Sequence, residues 1–307
     1  MEPACFQRLN LREAACVIDT LRAGTLALRS AACREGAIDR IRFPGTLIAT
    51  GDLHDNPLHL AKLIELAGLD GDPAQAVPSS RFSNPTHLVL HELIHSDRLL
   101  NGMDFSYRVL TRVAALKAAF PERVHLLLAN HELSQVFGAG IVKDGIRVVD
   151  AFNEAVDTTF GDDAPSIHEA IREFILAMPL ALRGVSPKKD LLVAHSLPEP
   201  WMMSRFDPTI LSRELTPEDY EPRRGSAHLM VWGRGYDADQ IEDLVERWGV
   251  GLIILGHEKV PEGARFVPPC VLVLNSDHDQ GVCVPIDLSN PMRAEDAVAK
   301  ALPLAVE

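Results

Sequence analysis

Asp52 and His54 stand two residues apart in GDLHDN, directly after the apolar run 46–50. A strand that ends this way sets a carboxylate and an imidazole side by side, the donor pair of a catalytic metal centre. Taken alone, such a pair more often caps the helix that follows. Three further aliphatic runs end in the same manner, however. LLLANHE delivers Asn130 and His131, LLVAHS delivers His195, and LIILGHE delivers His257. Glu92 of LVLHE adds a carboxylate able to bridge. Together Asp52, His54, Glu92, Asn130, His195 and His257 form a set of oxygen and imidazole donors, each at or just past an expected strand end, where open α/β sheets place their sites. Two divalent ions about 3.5–4 Å apart would suit such a set. They would lower the pKa of a shared water and neutralise charge on a phosphoryl group. Manganese, iron or zinc fits these donors.

The elements that must position these residues follow from hydrophobic spacing. Residues 9–40 read as helical, with Leu9, Leu11, Ala14, Val17, Ile18 and Leu21 on one face. Strands are expected at 46–50, 87–90, 124–128, 191–194, 252–255, 271–274 and 282–286. Helices are expected at 58–67, 105–120, 167–178 and 237–248, the first closed by Gly68. The Asp-, Pro- and Ser-rich stretch 70–85 reads as a loop, 136–165 as short mixed pieces, and 198–225 as a long surface excursion. The tail after Pro291 is Ala-rich and reads as helical or frayed. Strands alternating with helices early and bare strands late imply a layered α/β core. Three segments result: an N-terminal helical segment at 1–45 packed on the core, the main domain at 46–290, and a tail at 291–307.

Composition bounds the function. With 307 residues, 47% hydrophobic and 24% charged, the chain is long enough for a sizeable core and has the profile of a globular protein. A net charge of −13 argues against a broad nucleic-acid or membrane surface. No apolar run approaches the roughly 18 residues of a bilayer span, and no basic-then-apolar leader opens the chain, so a cytoplasmic location is expected. Five cysteines without CxxC spacing indicate neither a disulfide framework nor a zinc ribbon.

The ordered set GDLH, LVLHE, LLLANHE, LLVAHS and LIILGHE resembles the calcineurin-like metallophosphoesterases, and within them the phosphoprotein phosphatase family of Ser/Thr phosphatases. FILAMPLALRG, WGRGYDADQIEDLVERWGVGLIILGHEKVPEGARF and VLVLNSDHDQGVCVPIDL resemble further family segments in the same order. The resemblance implies a layered β-sandwich flanked by helices and two divalent metal ions. It implies that Asp52 and His54 hold the first ion, that Glu92 bridges, and that Asn130, His195 and His257 complete the second. It further implies that His131 is the general acid and that Arg234 grips phosphate oxygens. Attack on phosphoserine or phosphothreonine by a metal-bridging hydroxide would follow.

The second motif departs from the family. GDxxDR is expected, and the chain has HELIHSDR at 91–98. Glu92 replaces the bridging Asp, and His91 replaces a small Gly. Direct spacing sets His95 and Ser96 where Asp and Arg belong, whereas a two-residue insertion sets Asp97 and Arg98 there. The insertion is preferred, because the loop on to Gly102 is long. Asp97 would then orient His131, and Arg98 would clamp phosphate. Glu92 could otherwise form a plain surface ion pair with Arg98. His91, His95 and His278 are weaker candidates for extra ligands, and Asp277 and His278 read as pocket lining rather than metal ligands. Cleavage of a nucleotide anhydride such as a dinucleoside polyphosphate, or catalytically weak binding of phosphorylated partners, are the alternative functions.

Overall fold

Period-2 side chains sort each central strand between two cores. Leu47 and Ala49 face one, Ile48 the other; Leu191 and Val193 face one, Leu192 and Ala194 the other. The same alternation divides Leu252 and Ile254 from Ile253 and Leu255, and Leu272 and Leu274 from Val271 and Val273. Strands that are apolar on both faces must be covered on both. One core is therefore the seam between two stacked sheets, and the other lies under the helices.

The computed structural model describes residues 3–71, 82, 85–138, 140–143 and 145–305. Helix α1 (Ala14–Ser30) leads to strands β1 (Arg34–Glu35), β2 (Ile38–Arg42) and β3 (Thr46–Thr50), helix α2 (Pro57–Ala67) and strand β4 (Thr86–His91). Next come helix α3 (Tyr107–Ala119), strand β5 (Val124–Leu127), helix α4 (Asn130–Phe137), hairpin strands β6 (Val142–Lys143) and β7 (Ile146–Arg147), and helices α5 (Val148–Phe160) and α6 (Ala164–Leu176). Strands β8 (Ala181–Val185) and β9 (Asp190–Ala194) precede helices α7 (Ser226–Trp232) and α8 (Ala238–Trp248). The chain closes with strands β10 (Val250–Leu255), β11 (Ala264–Val267), β12 (Val271–Leu274) and β13 (Val282–Asp287), helix α9 (Ala294–Val298) and strand β14 (Leu302–Pro303).

One sheet has the order β1-β2-β8-β9-β10-β12-β11 and the other β14-β13-β3-β4-β5. Within the second, β3, β4 and β5 run parallel, joined by crossover helices α2 and α3. In the first, β9, β10 and β12 are parallel. Two parallel sets thus bring their carboxyl ends together. A pair of bridges from Asp52, to His91 and to Asn275, extends the pairing past the ends of β3 and β4.

Several expectations are revised. The helix at 9–40 stops at Ser30, and β2 joins the larger sheet beside β8, where its pairing with Ala181–Val185 sends Ile38 into one core and Ile41 into the other although the two sit at helical spacing. The mixed stretch 136–165 contains helix α5, whose Val149, Phe152 and Val156 form one buried face. Strands β8 and β11 lie in stretches not read as strands. In the tail, α9 is followed by β14, which pairs with β13. Most of the loop expected at 70–85 lies outside the described residues. The excursion at 198–225 is built of short 3-10 turns. Among the described residues, no helix is long and apolar enough to cross a membrane. All five cysteines are free.

Candidate metal centre

Five strand ends converge on one buried cluster: β3 delivers Asp52 and His54, β4 His91 and Glu92, β5 Asn130 and His131, β9 His195, and β10 His257. Close approach of the backbone makes this possible. A Cβ on Gly51 would overlap the Leu274 carbonyl, and one on Gly256 would overlap His91 Cε1 and Asp52 Oδ1. His54, Glu92, His95 and His257 all have left-handed backbone, with φ of 42°, 48°, 61° and 66°. Such conformations cost non-glycine residues of order 1–3 kcal/mol each and concentrate at functional sites. Hydrogen bonds lock them here. The Glu92 carbonyl accepts from the amides of Leu53 (3.1 Å) and His54 (2.8 Å), and Asp52 Oδ1 accepts from the His257 amide (2.8 Å).

Glu92, 3% exposed, is the centre of the cluster. Its Oε1 lies 3.1 Å from His54 Nε2 and 3.8 Å from His131 Nε2, whereas Oε2 lies 2.9 Å from His195 Nε2. The carboxylate therefore faces two groups of donors, one with each oxygen. His195 Nε2 is also 2.8 Å from Asn130 Oδ1 and 3.0 Å from His257 Nδ1. Asp52 Oδ1 approaches the other edge of His195, 3.6 Å from Nδ1.

Hydrogen-bond partners assign the protons on these rings. His91 Nε2 donates to the Thr50 carbonyl (2.9 Å), leaving its Nδ1 as the acceptor for His195 Nδ1 at 3.0 Å. His195 Nε2 then faces the Glu92 and Asn130 oxygens. His54 Nδ1 donates to the Ile94 carbonyl (2.9 Å), so its Nε2 likewise faces Glu92. These imidazole nitrogens meet the Glu92 oxygens through protons or, once deprotonated, through a shared cation. Two buried atoms of the cluster, Glu92 Oε2 and His257 Nε2, also lack a hydrogen-bond partner.

Protonation follows the same logic. Burial disfavours the charged imidazole, yet the Glu92 carboxylate prevails and raises His54 to about 9 and His195 above its ordinary value. Burial acts on Glu92 as well, but His131 and His195 hold it well below the carboxylate range. Asp52 is pushed up to about 6 by burial and by the charge of Glu92. Burial lowers His91 and His131 to about 3 and His95 to about 4. Positive charge is therefore called for at the Glu92 face, and the donor set fits divalent ions.

Asp52, His54, Glu92, Asn130, His131, His195 and His257 are all brought together. Asp97 is not. Its carboxylate is exposed and pairs with Lys143 (2.9 Å), whereas His131 Nδ1 is met at 2.9 Å by His95 Nδ1. The direct spacing thus describes position 95, and the loop lengthens after it. Arg98 reaches the rim, with Nη1 donating to the His54 carbonyl (2.9 Å) and Nη2 to Asp277 (3.2 Å), so Glu92 does not pair with it. Arg234 is exposed and near enough to His257 to help lower its pKa, behind burial and His195. A groove of about 300 Å³ runs from Arg234 past Trp232, His228, Arg223 and Trp201. A larger cavity of about 590 Å³ between Glu35, Arg183 and Trp248 contains none of the cluster. Sequence spacing gave no sign that His91 fixes the His195 ring. Nor did it show that Glu132 Oε1 accepts from the amides of Leu93 and Ile94 behind Glu92. Both are contacts between segments about forty or more residues apart.

No family model matches the sequence, and comparison with curated proteins gives no significant match. Solved structures do share its architecture. A protein serine/threonine phosphatase from Saccharomyces cerevisiae matches with a TM-score of 0.63 at 14% identity, over 90% of this chain and 83% of that one. The chain has the fold of the phosphoprotein phosphatases. The cold-active protein-tyrosine phosphatase of a psychrophilic Shewanella matches with a TM-score of 0.54 at 14% identity, over 84% of this chain and 80% of that one. At such identity the likeness concerns the fold, and the reading of the donor residues rests on their geometry.

Proposed function

We propose that this chain is a metal-dependent phosphatase that takes two divalent ions, manganese, iron or zinc, and hydrolyses phosphate monoesters. The observation that carries the reading is Glu92, whose two oxygens face two groups of donors, His54 and His131 on one side and His195 on the other. Asp52, His54 and Glu92 would hold one ion, and Glu92, Asn130, His195 and His257 the other. When bound, the ions would supply Lewis-acid polarisation of a phosphoryl oxygen and a lowered pKa for a shared water. Arg98 and Arg234 stand at the margin of the cluster, where planar guanidinium groups suit phosphoryl oxygens. Asp277 holds Arg98 in place by accepting from its Nη2.

Phosphorylated protein side chains are the first substrates to test, because the structural counterparts include serine/threonine and tyrosine phosphatases. A net charge of −13 disfavours nucleic acid as the partner. The test is metal content by elemental analysis beside hydrolysis of an aryl phosphate, for wild type and Asp52→Asn. About two ions per chain, with activity lost in the variant, supports the reading. No activity after manganese addition would leave a phospho-binding protein. A nucleotide panel run in parallel separates the anhydride alternative.

A further inference from the structure

The cavity of about 590 Å³ between Glu35, Arg183 and Trp248 lies on the helix-covered face of the larger sheet, apart from the donor cluster. Strand register builds its base. Arg40 of β2 is paired with Arg183 of β8, and Arg183 in turn with Leu192 of β9, so the three stand in one row across neighbouring strands. Ile38, two residues before Arg40 on β2, adds apolar surface. The opposite wall is helix α8 and the 3-10 turn Pro208–Ser212, tied together where Trp248 Nε1 donates to the Pro208 carbonyl at 3.0 Å. Arg247 of α8 brings a third guanidinium to the rim.

Arginines from three elements converge here in a chain whose net charge is −13. Like charges set opposite each other across neighbouring strands repel, so Arg40 beside Arg183 is unfavourable without negative charge close by. The protein's own carboxylates answer part of it. Arg40 Nε lies 2.6 Å from Glu35 Oε2, Arg183 Nε donates to Asp190 Oδ2 at 2.7 Å, and Arg247 Nε donates to Asp243 Oδ2 at 2.7 Å. All three pairs use Nε, and among the described residues the Nη groups of these arginines make no hydrogen bond to protein atoms. Glu35 is the one carboxylate among the described residues lining the cavity, so the lining as a whole is positive.

We propose that this cavity is a second binding site, separate from the metal centre, for a small organic phosphate. Its phosphate group spans Arg40 and Arg183, and its apolar or aromatic body lies over Leu192 and Ile38. The chemistry of the lining selects this class. Planar guanidinium groups meet phosphate oxygens with paired N–H bonds. A phosphate monoester, carrying about −1.5 to −2 at neutral pH, answers two arginines at once, whereas a single carboxylate answers one. The volume falls within the ~300–1,000 Å³ of small-molecule sites, and the apolar base would be left bare by a phosphate ion alone. The inference goes beyond the hydrolase reading and does not depend on it.

The experiment titrates the full chain, loaded with manganese, with phenylphosphonate, whose carbon–phosphorus bond resists hydrolysis, and follows binding by calorimetry. Methylphosphonate keeps the charged head without the ring, and benzyl alcohol keeps the ring without the head. Each is measured on wild type, Asp52→Asn, Arg183→Gln and Arg247→Glu. The expected result is a binding event that survives in Asp52→Asn and weakens about 10- to 100-fold in Arg183→Gln, the range for a lost charged hydrogen bond. Phenylphosphonate should bind about 10-fold or more tighter than either fragment, because the ring is buried as well. Binding that is lost in Asp52→Asn and unchanged in Arg183→Gln belongs to the metal centre and overturns the inference. Equal affinity for methylphosphonate and phenylphosphonate overturns it too, as does the absence of binding at millimolar concentration. Arg247→Glu reverses one charge on an exposed helix face without touching the sheet, and should also weaken the event, so it decides the matter if Arg183→Gln does not fold. Failure of the hydrolase reading would show instead as a chain without ester turnover, whatever this titration gives.

Discussion

Glu92→Asp installs the residue that the resembling family carries, and the structure predicts that it will fail here. Glu92 Oε1 is 3.1 Å from His54 Nε2 and Oε2 is 2.9 Å from His195 Nε2. Removing one methylene withdraws the carboxylate by about 1.5 Å, the length of a carbon–carbon bond. The main chain cannot follow it. Its φ of 48° is held by two hydrogen bonds from Leu53 and His54 to the Glu92 carbonyl. Metal–oxygen bonds near 2 Å do not stretch over such a gap, so the shared ligand would serve one ion at most. A misplacement of about 1 Å in a catalytic constellation costs on the order of 100-fold, or about 2.7 kcal/mol of barrier. The assay is metal stoichiometry together with kcat/KM on an aryl phosphate. Retention of two ions per chain and activity within a few-fold of wild type would refute the argument that this site is built around the longer side chain.

Three other outcomes are expected. His91→Ala frees the His195 ring from its Nδ1 partner and should weaken metal binding about 10- to 100-fold, measured by competition with a chromophoric chelator. Asp97→Ala should leave kcat within about 2-fold of wild type, as for surface substitutions generally, whereas Arg98→Ala should raise KM; steady-state kinetics on both variants checks the contrast. Glu132 is raised to about 7 by burial and by Glu92. Its folded pKa lies above its unfolded value, so the folded state holds the extra proton, and the stability it contributes is present below about pH 4.5 and lost as pH rises through 7. Glu132→Gln should therefore flatten the fall in stability of the chelated protein between pH 5 and 8, by an amount on the order of a few kcal/mol. Urea midpoints across that range read it, and parallel curves for wild type and variant would count against it.

Strand ends were legible because hydrophobic runs and their final polar residue are contiguous in the chain. LIIL followed by GHE marks the end of β10 locally. His257, like Asp52, Asn130 and His195, stands out only because the pattern recurs at four strand ends. Less legible were strands whose neighbours decide them: β2 takes its place by pairing Ile38–Arg42 with Ala181–Val185, although Ile38 and Ile41 sit at helical spacing. The misplacement of Asp97 has a similar origin. Direct spacing offers His95 and Ser96 and a two-residue insertion offers Asp97 and Arg98; loop length favoured the insertion, and the pairing of His95 with His131 and Gln135 sets the direct spacing at position 95. Rings that set other rings, such as His91, leave no local signature at all.

Strand β14 is two residues long and ends in Pro303, and it lies outermost beside β13. Val282 and Cys283 of β13 would otherwise present open backbone at the margin of the smaller sheet, next to an apolar strand. A short, proline-ended strip is the kind of border that blocks one molecule from extending its sheet into another. Cutting the chain before 294 would thus leave the donor cluster untouched and strip that border. Such a protein would bind its ions as before, yet its solubility would depend on concentration, with molecules joining edge to edge through β13.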